Sequence, residues 1–190
     1  MTDRREAILK AAETLLQHYG PQKTTVADIA GAANVGVGTV YLEFKNKDEI
    51  IEALACLRHD AVLGAMEAAA TSDAPYELRF AAIFDARFEC ALRLCAGGVH
   101  ASDLIHCSCP GVEASFALYQ RREHELLARF FREAQSRGAL EMGDPEGAAT
   151  TVLLAYDGFS APRLFDGLEG DHRRRLTELH HLILRGLLPR

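Results

Sequence analysis

The sequence predicts an all-α protein, and three observations lead there. Nearly every segment repeats its apolar residues at the spacing of one helix face, no run alternates strictly between apolar and polar residues, and no Asn-Gly pair offers a hairpin turn. Composition agrees: of 190 residues, 48% are apolar and 25% charged, the balance of an ordinary globular chain. At that length one domain or two small ones are expected.

The elements follow in order. Arg5 to Tyr19 gathers Ile8, Ala11, Ala12, Leu15 and Leu16 on one face, and Gly20-Pro21 stops it. Thr25 and Asp28 have capping-box spacing, so a second helix is expected from Val26 to about Ala33. The Asn34 to Gly36 segment interrupts it, and a third short helix covers 37–43. Asn46 and Glu49 repeat the capping pattern, Asn46 as cap and Glu49 reaching back. The fourth helix then runs to about Ala70 on the stripe Ile50, Leu54, Leu57, Ala61, Ala65 and Ala68, before Thr71 to Pro75 breaks it. A fifth is expected over 76–95. A sixth, over 99–106, must end near Cys109 because the residue before Pro110 is driven out of the α region. A seventh spans 112–137 with Gly138 as its C-cap. Asp144-Pro145 opens an eighth, with Asp as cap and Pro in the first position, and Pro162 bends or ends it. The last starts near Asp171.

Charge and punctuation exclude several classes. The net charge of −6, from 21 Lys and Arg against 27 Asp and Glu, argues against indiscriminate binding of polyanions. It is unevenly spread: residues 1–50 are net −1 and hold all four lysines, Lys10, Lys23, Lys45 and Lys47, while the other 140 residues are net −5. A few well-placed cations on a small head remain compatible with DNA. The longest charge-free run, 29–42, has 14 residues, too short and too Gly-rich to span a bilayer. The first residues lack the apolar stretch of a secretory signal, so a cytoplasmic protein without a membrane partner is expected. Five cysteines, an odd number, read as free thiols in a reducing compartment. No Gly-x-Ser-x-Gly, phosphate loop or His-Glu-x-x-His motif occurs, so no enzyme, catalytic residue or cofactor is expected.

Residues 26–44 carry the strongest signal. Ile29, Ala33, Val35, Val40 and Phe44 stand where two short helices would pack across a tight turn, Ala30 is small where the backbones approach, and Asn34 occupies the position that needs a positive φ. This is the form of a helix-turn-helix. The stretch from Thr25 to Glu49, with its Gly38-Thr39-x-Tyr41-x-x-Phe44-x-x-Lys47 core, resembles the DNA-binding signature of the TetR family of transcriptional regulators.

The resemblance implies a DNA-binding domain over 1–46 and a helical effector-binding and dimerisation domain over 47–190, about nine helices in all. It implies that Val37, Gly38, Thr39, Tyr41 and Leu42 face the major groove, and that Thr25, Lys45 and Lys47 hold phosphates. Gly36 departs from the family by replacing the usual Ser cap. Glu43 departs by standing where an aromatic residue or His is common, and is expected to turn toward Lys47 rather than toward a phosphate. Since Val37 and Leu42 offer only apolar contact, suited to thymine methyls, a partly A·T-rich half-site is expected.

A single helix-turn-helix reads few base pairs, so a homodimer on a palindromic operator follows. Val152, Leu153 and Tyr156, with Leu176, Leu179, Ile183 and Leu187, are the candidate dimer stripes, although the same residues could simply close the chain's own core. Phe84, Phe88, His100, His106, Phe116, Tyr119 and Tyr156 are candidates for an apolar effector pocket with a few polar tips, fitting a hydrophobic or aromatic small molecule. The expected function is a ligand-responsive regulator, a repressor released by its effector. The alternatives are a metal- or thiol-sensing regulator acting through His100, His106, Cys107 and Cys109 and, ranked after it, an enzyme on a helical scaffold. No metal is assigned, because Cys-x-Cys is short for zinc and has no matching second pair.

Overall fold

The computed structural model describes residues 3–97, 100, 110–160, 164 and 171–187. Among them are eight α-helices and one 3₁₀ turn, with no strand: α1 (Asp3–Tyr19), α2 (Val26–Ala32), α3 (Val37–Glu43), α4 (Lys47–Ala70), α5 (Tyr76–Cys95), α6 (Pro110–Ser136), α7 (Pro145–Ala155), the 3₁₀ turn Asp157–Phe159, and α8 (His172–Leu187). Apart from His100, which lies in a turn, the helix expected over 99–106 lies outside the described residues. No described helix is long and apolar enough to cross a membrane.

Local chemistry explains most of the boundaries. Gly20, at φ 81, turns the chain after α1, and Gly138, at φ 67, does so after α6. The Asp144 carboxylate accepts from the backbone N–H groups of Glu146 and Gly147, with Pro145 in the first helical position. α6 starts at Pro110 itself, two residues earlier than its apolar pattern suggests, because proline is preorganised for a first helical turn.

The chain divides into two compact units. Described residues of the first come from 3–59 and 93–117, those of the second from 60–92 and 118–187. The core of the first is mainly aliphatic: Ile8, Leu9, Ala12, Leu16, Ile29, Ala30, Val40, Phe44, Ile50, Ile51, Leu54 and Val112. The core of the second is rich in rings, with Phe80, Phe84, Phe88, Phe130, Phe131 and Tyr156 among Met66, Ile83, Leu126, Leu127, Val152 and Leu176. α1 packs on α2 and α2 on α3, which fixes the helix pair described next.

Candidate nucleic-acid interface

The α2–turn–α3 segment is built from caps outward. Thr25 Oγ1 accepts from the Asp28 N–H at 3.2 Å, and Asp28 Oδ2 accepts from the Thr25 N–H at 2.8 Å and from its hydroxyl at 2.6 Å. These bonds hold the Asp28 carboxyl below its ordinary pKa, the Thr25 hydroxyl contributing most. The capping box is therefore complete. Asn34, at φ 54, makes the turn between the helices, the left-handed conformation that asparagine visits at least cost after glycine. Its backbone N–H reaches Gly31 O, and that of Val35 reaches Ala30 O.

α3 begins at Gly36 without a side-chain cap. Its inner face is dry, with Val40 1% exposed and Phe44 2% exposed just beyond its end. Its outer face carries Val37, Tyr41 and Leu42 at 42%, 54% and 84% exposure. Gly38 is exposed and Thr39 half-buried. A leucine left that far in water on a seven-residue helix serves no packing purpose within the described residues. The five residues expected to read bases thus lie on one short element, with four of them reachable and Thr39 partly so.

The flanking cations differ among themselves. Lys45 is exposed, and its backbone N–H donates to Glu49 Oε2 at 2.6 Å. Asn46 Oδ1 caps α4 by accepting from the Glu49 N–H at 2.8 Å; Glu49 reaches back one residue further than expected, to Lys45 instead of Asn46. Lys47 does not pair with Glu43. Its Nζ donates to Pro21 O at 2.5 Å and Thr24 O at 3.0 Å. Sequence reasoning had no means of finding the role of Arg5: its Nη1 donates to Glu43 O at 2.9 Å, and its guanidinium lies 4.1 Å from the centre of the Phe44 ring. The cation thereby sits at the negative C-terminal end of α3, the end a helix dipole favours for it.

The other expected site residues distribute between the units. His100 and Phe116 belong to the first unit. The His100 N–H donates to Gln17 O, and the Phe116 ring lies 6.0 Å from that of His59. Phe84, Phe88, Tyr119 and Tyr156 belong to the second. There Phe84 stacks on Tyr156 with centroids 3.7 Å apart and planes at 10°, and Phe88 meets Phe159 edge-on. Tyr119 donates to Glu123 Oε1 at 2.6 Å, Glu123 pairs with Arg87 at 2.7 Å, and Arg87 Nη1 donates to Tyr156 O. Burial, helped by the Glu123 charge, pushes the Tyr119 hydroxyl well above its ordinary pKa. The Tyr156 hydroxyl is also raised by burial and meets His180 Nδ1 at 2.6 Å, while His180 Nε2 faces Asp85 Oδ1 at 3.2 Å. With a carboxylate on Nε2, that nitrogen carries the hydrogen, and Nδ1 accepts from Tyr156.

Val152, Tyr156 and Leu176 are buried in the second core; Leu153, Leu179, Ile183 and Leu187 pack against it half-buried. The exposed apolar residues on α7 and α8 are instead Leu154 and Leu182, at 72% and 67%. His106, Cys107 and Cys109 lie outside the described residues. Among those described, Cys56, Cys90 and Cys95 form no disulfide, and no three His, Cys, Asp or Glu side chains could jointly hold a metal ion.

Two short helices joined by a tight turn, the second presenting an exposed face, are the arrangement of the helix-turn-helix class of DNA-binding proteins. Residues 8–54 match the family of bacterial regulatory proteins, tetR family. The chain is 27% identical over 164 residues to the HTH-type transcriptional regulator TtgR of Pseudomonas putida, a match covering 81% of this chain and 77% of that protein. A crystal structure of a TetR/AcrR-family regulator from Thermobifida fusca superposes with a TM-score of 0.77 at 25% identity, over 97% of this chain and 98% of that one. A complex of SmeT with triclosan superposes with a TM-score of 0.76 at 21% identity, over 98% and 92%. Two further curated HTH-type regulators match over 54 and 52 residues, so that this chain spans 29% and 27% of their lengths. The part of the chain that is similar to the tetR family, residues 8–54, contains both helices of the pair and the turn between them.

Proposed function

We propose that this protein is a homodimeric, cytoplasmic, effector-responsive transcriptional regulator, a repressor whose residues 1–46 read DNA and whose residues 47–190 pair the subunits and bind the effector. The observation that carries the reading is the outward apolar face of α3, Leu42 above all. Val37, Gly38, Thr39, Tyr41 and Leu42 enter the major groove, while Thr25 and Lys45 take phosphates on either side. Selection of bound duplexes from a random pool tests this. Partly A·T-rich, two-fold-related half-sites are expected, and half-sites of G·C pairs alone would overturn the assignment of Val37 and Leu42.

Pairing of subunits is supported by Leu154 and Leu182, two leucines held in water on α7 and α8 while the neighbouring stripe fills the chain's own core. Replacing both with glutamate is expected to leave a folded monomer by sedimentation. The effector reading is supported by the ring cluster around Phe84, Phe88 and Tyr156, with the Tyr119–Glu123–Arg87 group as its polar edge, and by the triclosan held by SmeT. The rings are close-packed, so a ligand that parts them selects a different arrangement and shifts the population away from the DNA-binding one. Triclosan is a fair first probe: a rise in Tm together with release of the selected duplex is expected of an effector.

A further inference from the structure

Lys47 opens α4, and a lysine there invites assignment to a DNA phosphate. The geometry points elsewhere. Its ammonium is held between Pro21 O and Thr24 O, in the turn joining α1 to α2, and the side chain is half-buried. The N-terminus of a helix is its positive end, so an ammonium on the first helical residue gains nothing from its own helix and turns away. The two carbonyls it meets receive no backbone N–H among the described residues. The same turn is fastened from its other side by Thr24, 2% exposed, whose hydroxyl donates to Gly20 O at 2.9 Å. Immediately after it comes Thr25, the cap of α2, on which α3 packs.

We propose that Lys47 is a positioning residue for DNA binding, an intramolecular clamp that ties the α1–α2 turn to the start of α4 and so fixes the base-reading pair α2–α3, leaving the phosphate contact at this edge to Lys45. The proposal rests on the DNA-binding reading above and deepens it. A clamp and a phosphate contact respond differently to salt. Each phosphate neutralised adds about 0.9 to the slope of log K against log salt, whereas a cation satisfied inside the protein releases no counterion on binding.

Binding of wild type, Lys47→Met, Lys47→Arg and Lys45→Met to a mixed-sequence duplex and to a selected duplex, by fluorescence anisotropy across a salt series, separates the two. Lys47→Met is expected to weaken binding about tenfold, the scale of losing charged hydrogen bonds, with its slope unchanged. Lys47→Arg, whose guanidinium also donates to two acceptors, is expected to restore most of the affinity. Lys45→Met is expected to flatten the slope by about one. A slope flattened by about one in Lys47→Met overturns the clamp. In the free protein the Lys47 ammonium is expected to give a protected ¹H–¹⁵N signal that Lys45 lacks; equal exchange at both overturns the clamp without reference to DNA. Failure of the wild type to bind either duplex would sink the DNA-binding reading and leave the exchange measurement standing as the test of the clamp.

Discussion

The first unit closes over Ile8, Leu16, Ile29 and Ile50 and keeps its charges at the edges, whereas the second buries six rings together with the Arg87–Glu123 pair and the Tyr156–His180 contact. The mainly aliphatic core of the first holds two short helices in one arrangement, with polar contacts at caps and turns and in the Arg58–Glu13 and His59–Ser115 pairs. The second carries desolvated charge that costs stability unless every partner stays in place. The first unit relies mainly on aliphatic packing, the second on ring packing together with a small set of buried polar contacts.

The largest effects are expected in the aromatic core of the second unit. Phe84→Ala removes the ring stacked on Tyr156 and is expected to cost about 3–5 kcal/mol in denaturant unfolding. A loss under about 1 kcal/mol would mean that the cluster is loosely packed. Arg87→Met leaves Glu123 buried without its cation and is expected to cost about 3 kcal/mol, while Arg87→Met with Glu123→Leu should recover much of that loss. Double-mutant losses that simply add would remove the coupling between the two. In the first unit the expected effects are smaller. Thr25→Ala deletes the α2 cap, costing about 1 kcal/mol, and Gly36→Ser supplies the cap that α3 lacks, gaining a few tenths of a kcal/mol. The added Cβ meets only Thr39 Oγ1 at 3.7 Å, so nothing obstructs the gain.

The smallest effect concerns acid. The Asp28 carboxyl has a folded pKa below its ordinary 3.8, so its contribution is complete above that value and fades as pH falls through the lower folded one. Asp28→Asn is expected to flatten the acid limb of the stability curve below about pH 4, with little change near neutrality. An identical acid limb in the variant would deny the capping bond its energetic role.

The two regions also differ in how much of them the sequence discloses. Capping chemistry is local, so Thr25 with Asp28, Asn34, and Asp144 with Pro145 mark helix ends that the structure reproduces within a residue or so. The exposed face of α3 is legible for the same reason: on a helix of seven residues, the apolar positions that pack inward leave little choice for the rest. An apolar stripe says only that something covers it. Val152 and Leu176 were equally fit to meet a second subunit or their own chain, and they meet their own chain, while Leu154 and Leu182 between them remain exposed. Long polar side chains are the least legible, since Lys47 and Arg5 reach carbonyls 26 and 38 residues away in sequence.

That reach of Arg5 has a practical consequence. The last turn of α3 is secured by a guanidinium from the opening turn of α1, so the order of α3 depends on a side chain 38 residues away from the carbonyl it holds. Cleavage by a protease between Arg5 and Glu6 would therefore loosen the C-terminal edge of α3 without touching α3 itself.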